Sequence, residues 1–309
     1  MGRSLLVLVA LSLLLLHGSA SRFPPTSKEA IPKFNTPLRN ANLTLGLIDG
    51  VSPQEDSDNP LAYFAFYAAT TAADGYHGFI ATMDVYGFPL EKGQGSAAAV
   101  WIHDEGDGQL INLRSIMIGW DVLPSVYGDS RTYFYTKWTN DGFISTGCMN
   151  MKCFGFQPEK GAKIAPGDVI DHVTFPKQKI KRNLNLKVIK DGASGDWLVY
   201  CGLDQDPELI GRFPRSLFTG IFAEKATSIA FGGVTIAPIT KPPPMGSGYL
   251  PTDPKSAASI SNIQFVDQNG HALPLTENLV KFETNSAAYA VSPILNGQFF
   301  YGGHQKPTA

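Results

Sequence analysis

The sequence predicts an all-β protein, a sandwich or a barrel assembled from many short strands. Three observations carry that reading. The 309-residue chain holds 31 glycines and 22 prolines, residues that break helices and punctuate turns. Only 17 % of it is charged while 43 % is hydrophobic, a balance that supports a packed core and argues against disorder. From Leu61 onward short apolar and aromatic runs recur, each closed by Gly, Pro, Asn or Asp. That is the texture of an all-β domain rather than of alternating βα units.

The elements follow in chain order. Arg3 precedes an apolar run from Leu5 to Leu16, and Gly18-Ser19-Ala20 supplies the small residues of a cleavage site. The run is too short to span a bilayer, so residues 1–20 read as a secretory signal peptide and the mature protein is expected outside the cell. Residues 21–60 carry prolines at 24, 25, 32, 37, 53 and 60 and no periodicity, the mark of a loosely packed arm. Within it, Asn42-Leu43-Thr44 is a glycosylation sequon, meaningful because the chain is exported.

A single domain is expected over residues 61–304, with 305–309 as a tail. Strands are predicted at Leu61–Ala69, Tyr76–Val85, Ala97–His103, Ser115–Val122, Arg131–Thr139, Val169–Phe175, Asn183–Ile189, Asp196–Cys201, Ser228–Thr235 and Ser261–Val266. Leu184, Leu186 and Val188 alternate with polar residues, the period of a half-buried strand. Tyr133 to Trp138 is aromatic-rich and suits a pleated surface. One helix of two to three turns is predicted to start near Pro214.

Several function classes drop out. A net charge of −2 leaves no electrostatic footprint for nucleic acid or an anionic membrane. There is no G-x-S-x-G elbow, no H-E-x-x-H and no phosphate loop. Histidines 77, 103, 172, 271 and 304 are scattered, so neither a metal nor a cofactor is expected. His103-Asp104-Glu105 with Asp107 reads as a solvated turn before a cation site, and Gly246-Ser247-Gly248 as turn chemistry before a nucleophile. Cys148 and Cys153, five apart, suit either a small disulfide loop or half of a zinc site, although no second Cys or His pair follows. Cys201, in a strand-like run, reads as a buried thiol. Trp120, Tyr127, Trp138, Asp141 and Ser247 fall in turn-rich, aromatic segments that suit either a groove lining or a purely structural role.

Those segments carry a resemblance. Ser115-Ile116-x-x-Gly119-Trp120, Tyr127-Gly128-Asp129, Lys137-Trp138-Thr139-x-Asp141-Gly142 and Thr146-Gly147-Cys148-x-Asn150-x-x-Cys153 occur in that order. Leu217-Phe218, Phe231-Gly232-Gly233, Met245-Gly246-Ser247-Gly248 and Phe300-Tyr301-Gly302-Gly303 follow them. The chain resembles the neprosin family of secreted plant proteins over most of its length from about Leu61. The resemblance implies an antiparallel, jelly-roll-like β-sandwich with a cleft across one sheet. It further implies a prolyl-cleaving glutamic peptidase made with an inhibitory propeptide. It also favours the disulfide for Cys148 and Cys153.

The departures fall at the chemistry. One catalytic glutamate of the family lies two residues before the Gly-Trp pair, where this chain has Met117; the other follows the Gly-Gly pair, where it has Val234. Neither side chain exchanges a proton, and a general acid or base is worth about 10²- to 10⁴-fold. Only about 40 residues separate the signal from the domain, short for a propeptide. The family's further cysteine before the tyrosine matching Tyr289 is Ala288 here, and its C-terminal partner is missing too.

Three functions are therefore expected to compete. The first is an inactive homologue that binds proline-containing peptides or wall glycoproteins in the apoplast or cell wall. The second is an acid peptidase using other carboxylates, with Asp104, Glu105, Asp121 and Glu224 nearest the motifs. The third is a carbohydrate-binding or structural wall protein.

Overall fold

A computed structural model describes residues 61–70, 74–175, 180–237, 242–275 and 279–304. The expected signal peptide, the proline-rich arm, Asn42 and the tail lie outside the described residues. The strands form two antiparallel sheets, as a sandwich requires. The first sheet holds β1 (Leu61–Thr70), β3 (Gly95–Asp104), β4 (Arg114–Val122), β5 (Tyr133–Thr139), β6 (Cys148–Met149), β11 (Ser228–Ala237) and β15 (Val280–Glu283). Its order is β15-β1-β11-β3-β4-β5-β6.

The second sheet holds β2 (Gly78–Val85), β7 (Gln157–Pro158), β8 (Arg182–Lys190), β9 (Trp197–Leu203), β10 (Glu208–Phe213) and β12 (Met245–Gly246). It is completed by β13 (Ala258–Val266), β14 (Ala272–Pro274), β16 (Ala290–Val291) and β17 (Phe299–Gly303). Its main path runs β12-β17-β13-β2-β8-β9-β10-β7, with β14 on β13 and β16 on β17.

The two sheets differ in how their strands read. β8 alternates, burying Leu184, Leu186 and Val188 and leaving its other residues half-buried, because one of its faces is wet. β3, β5 and β11 are buried along their whole length; the centres of β3 and β11 read as apolar runs for that reason, while β5 buries Thr136, Lys137 and Thr139 as well. The main core lies between the sheets, where Val100, Ile116, Ile118, Trp120 and Phe231 meet Phe79, Met83, Leu186, Val188 and Ile260. Trp120 ties the layers together: its indole Nε1 donates to the Asp84 carbonyl of β2 at 2.9 Å. The Asp84 carboxylate in turn accepts from Lys181 Nζ and from the Ser259 amide, each at 2.8 Å.

Some expectations are corrected. Val169–Phe175 is not a strand; it makes only single bridges, Tyr133 with Val169 and Tyr86 with Thr174. His172, at φ 60°, turns the chain out of the extended region between them. The helix near Pro214 is two 3₁₀ turns instead, Arg215–Leu217 and Gly220–Ala223. Extended Phe218 and Gly220 at φ 64° interrupt it. Phe213 ends β10, a strand hidden from pattern reading by the register shift at Gly211. The β5 strand starts at Tyr133, since Arg131 Nε is held by Asp129 at 2.8 Å in the turn before it. Cys148 and Cys153 are bridged, and Cys201 is a buried free thiol whose pKa burial pushes up to about 12.

Two stability outcomes follow. Gly119→Ala would place a Cβ 2.0 Å from the Ala98 carbonyl. It should cost about 3 kcal/mol in denaturant unfolding, whereas Gly192→Ala, with open space around it, should be neutral or stabilising by up to about 1 kcal/mol. Equal effects would refute the steric account. Replacing both Cys148 and Cys153 by serine should remove about 2 kcal/mol, the loop-closure value for so short a ring, measured the same way.

Candidate functional site

The site is built on the face of the seven-stranded sheet that points away from the second sheet. Strand alternation selects its residues. In β4, Ile116, Ile118, Trp120 and Val122 point into the main core, so Ser115, Met117, Gly119 and Asp121 point outward. Antiparallel register then aligns outward residues of neighbouring strands into rows that cross the sheet.

Four rows result. The first is Ser228, His103, Ser115 and Thr139. The second is Ala68, Ala230, Trp101, Met117, Lys137 and Met149. The third is Phe282, Phe66, Gly232, Ala99, Gly119 and Tyr135. The fourth is Phe64, Val234, Ala97, Asp121 and Tyr133.

The third row is a trough in the side-chain layer of the sheet and is buried, with Phe66, Ala99 and Tyr135 at most 1 % exposed. Gly232, Ala99 and Gly119 lie side by side between the aromatic rings of Phe66 and Tyr135. Both glycines are compelled by backbone approach: a Cβ would sit 2.5 Å from the Ala65 carbonyl at Gly232 and 2.0 Å from the Ala98 carbonyl at Gly119. Met117 stands on one side of the trough and Val234 on the other. Both belong to one apolar cluster with Phe64, Phe66, Ala97, Ala99, Trp101 and Tyr135.

Polar groups sit at two corners of this apolar floor. At one, Asp121 is buried and burial raises its pKa, opposed by Lys137, by a hydrogen bond from Tyr127 and by Lys152. Burial lowers the pKa of Lys137, against the pull of Asp121. The Lys137 ammonium lies 5.5 Å from the Tyr135 ring centre, which steers it along the sheet toward Asp121. Tyr127, in the short helix α1 (Pro124–Tyr127), stacks on Tyr133 with ring centres 3.7 Å apart. Its hydroxyl accepts from Asn150 Nδ2 at 3.1 Å, while Asn150 Oδ1 accepts from the Thr136 amide at 2.9 Å. Asp121 Oδ1 and the Tyr135 hydroxyl have no hydrogen-bond partner. At the other corner are His103, Ser115 and Ser228.

The residues expected to line a groove divide. Tyr127 reaches the outer face and packs against its apolar cluster. Trp120 and Trp138 do not: both are in the core between the sheets, Trp138 edge-on to Phe218. Asp141 closes its own turn, accepting from the Ser145 amide at 2.9 Å and the Thr146 hydroxyl at 2.8 Å. Ser247 sits in the loop after β12, in the second sheet, accepting from the Tyr249 amide at 3.2 Å.

The alternative acids are dispersed. Asp104 accepts from the Gly106 amide at 3.1 Å and the Thr227 hydroxyl at 3.3 Å at the end of β3. Glu105 lies in the turn beyond it, and Asp107 accepts from the Gln109 amide at 3.0 Å. Glu224 is paired with Arg215 at the surface. Among the described residues no three metal-ligating side chains gather. Pattern reading missed Trp101, Tyr135 and Lys137 as floor residues. A lysine inside the apolar run of β5 was the available signal.

A family model described as Neprosin matches residues 92–304. Among solved structures, two crystal structures of scytalido-glutamic peptidase with transition-state analogues superpose with TM-scores of 0.40 and 0.42. Each is 9 % identical and covers 80 % of this chain and 100 % of its own. Alginate lyase vAL-1 from Chlorella virus gives a TM-score of 0.24 at 11 % identity, covering 61 % of this chain and 88 % of its own.

The Asp121–Lys137 pair makes a measurable prediction. Asp121→Asn alone leaves a buried ammonium without its counter-charge and should cost about 3 kcal/mol. The double variant Asp121→Asn/Lys137→Met should recover most of that, because a buried pair can be replaced by apolar groups at little cost. Additive losses in a denaturation double-mutant cycle would mean the two charges do not interact.

Proposed function

The chain belongs to the neprosin family, and on that premise we propose that it is a secreted member without the family's two-carboxylate peptidase chemistry. Its cleft binds proline-containing peptides or wall glycoproteins and leaves them intact. In the chemistry that the resemblance implies, two facing carboxyl groups divide the work. One, ionised, activates water; the other, protonated, donates to the carbonyl oxygen and the leaving group. Such a pair needs both members.

One observation carries the reading. The positions of both family glutamates flank the same trough, and they hold Met117 and Val234 within a single apolar cluster. An apolar trough between aromatic rings suits a proline ring, which has no N–H to satisfy and offers a flat hydrocarbon face. Export is supported by the Leu5–Leu16 run and the small residues after it.

The rival reading, an acid peptidase using other carboxylates, is weakened by where they are. Asp121 lies in the fourth row, where the charges that act on it are lysines, Lys137 and Lys152, and Glu105 is hydrogen-bonded to Ser228 at the opposite corner, in the first row. Asp104 and Glu224 are committed elsewhere, to a turn and to Arg215.

Restoration tests the proposal. The purified secreted protein should leave a proline-containing peptide uncut between about pH 3 and 6, read by mass spectrometry. Met117→Glu combined with Val234→Glu should confer cleavage that neither single variant has. Cleavage by the unaltered protein, abolished by Asp121→Asn, would overturn the proposal in favour of the rival.

A further inference from the structure

A half-open cavity of about 520 Å³ lies away from the trough, beside the segment that follows β7. Its volume is within the range of small-molecule sites, about 300–1,000 Å³. Both of its walls are fixed to strands. Val85 and Arg182 are register partners at the ends of β2 and β8, and past β9 the Asp204 Oδ1 accepts from the Asn183 amide at 2.8 Å. Across from them, the Ile170 amide donates to the Thr132 carbonyl at 2.8 Å, and the Phe134 amide donates to the Asp168 carbonyl at 2.9 Å. Those bonds tie the segment to β5 and the residue before it. Val85, Ile164, Ile170 and Leu203 supply an apolar lining, and the first three are buried.

The polar lining is Lys163, Asp168, Asp171, His172, Arg182 and Asp204. Its two permanent cations already have counter-charges. Lys163 Nζ is 2.6 Å from Glu208 Oε1, and Arg182 Nε is 2.9 Å from Asp204 Oδ2. Two carboxylates keep capacity. Asp168 uses Oδ2 to accept from the Ala165 amide at 2.8 Å, which leaves Oδ1. Among the described residues no donor is bonded to the Asp171 carboxylate. Both aspartates are exposed and open to an incoming ligand. Alone they would be a solvated rim; the preformed apolar space beside them makes the arrangement a binding site.

We propose that this cavity binds a small aliphatic amine or guanidine, with Asp168 and Asp171 holding the cation and the apolar lining covering the hydrocarbon stem. The proposal is independent of what the trough binds. The lining selects the ligand. An anion would meet two uncommitted carboxylates and no unpaired lysine or arginine. A hard divalent ion needs about six oxygen donors, and among the described residues no three metal-ligating side chains gather. A neutral alcohol would fit the apolar lining and leave both carboxylates to water. An ammonium or guanidinium donates charge-assisted hydrogen bonds to them, and each methylene of its stem removes further apolar surface from water. Because the two aspartates face solvent, salt should weaken the attraction.

Calorimetry on the purified protein tests this with methylamine, butylamine, hexylamine and agmatine, against hexanol and calcium chloride. Agmatine and hexylamine should bind saturably at one site. Affinity should rise from methylamine to hexylamine, by up to about fourfold per methylene, and should fall as salt is added. Asp168→Asn and Asp171→Asn should each weaken binding by about tenfold, and the double variant should abolish it. Asp168→Asn keeps an acceptor for the Ala165 amide, and circular dichroism melts check that every variant is folded. Hexanol binding as tightly as hexylamine would overturn the proposal, as would calcium binding in place of the amines. Amine binding that is unsaturable, or unchanged in the double variant, would overturn it too.

Discussion

The close approach of backbone at the centre of the seven-stranded sheet governs this molecule. Gly119 and Gly232 lie so near the carbonyls of Ala98 and Ala65 that neither can carry a side chain. With Ala99 between them in register, they remove side-chain volume along one line across three strands. Side chains to either side of that line then become walls, and the line becomes a trough. The same strands are apolar on their opposite face, where Trp120 reaches across to Asp84 and holds the second sheet in place. The core packing and the trough are therefore two faces of one set of strands.

That arrangement also accommodates Met117 and Val234 on the sheet face. Carboxylates on a mostly apolar sheet face are costly to hold and are kept where proton transfer requires them. Met117 and Val234 instead extend the apolar cluster of Trp101, Phe64 and Phe66, so their presence is compatible with the fold and supports its packing. Asp121 and Lys137 share the rows of those two positions: Lys137 lies opposite Met117, and Asp121 lies in the row of Val234, beyond Ala97. Asp121 is braced by Tyr127, which Asn150 holds against the strand that follows. Asn150 adopts φ 56° within the loop closed by the Cys148–Cys153 bridge. The bridged loop thus carries the asparagine whose side chain bonds both Tyr127 and the β5 backbone.

Much of the fold was legible in the sequence because it depends on local periodicity. β8 alternates and was located within one residue at each end; β3 and β4 read as apolar runs and were found. The errors share a physical cause. Val169–Phe175 has strand composition, yet His172 leaves the extended region there, and composition does not encode that backbone turn. β10 was lost to a bulge at Gly211, which breaks the period that pattern reading relies on. Trp120 and Trp138 were expected at a groove. In strands buried on both faces, alternation contrasts one apolar residue with another and gives no polar marker of which side is which.

The sequence by itself determined the all-β class, the family and the disulfide pair, and it set Met117 and Val234 beside the Gly-Trp and Gly-Gly pairs. Each of these is carried by residue identity and short spacing. Only the tertiary structure decided which residues share a face. It placed Met117 and Val234 on either side of one trough, moved Trp120 and Trp138 into the core, and brought His103, Ser115 and Ser228 into a row. Those three residues lie far apart along the chain, and their meeting depends on the register between β11, β3 and β4. Register is set by long-range packing of whole strands, and no short stretch of sequence records it.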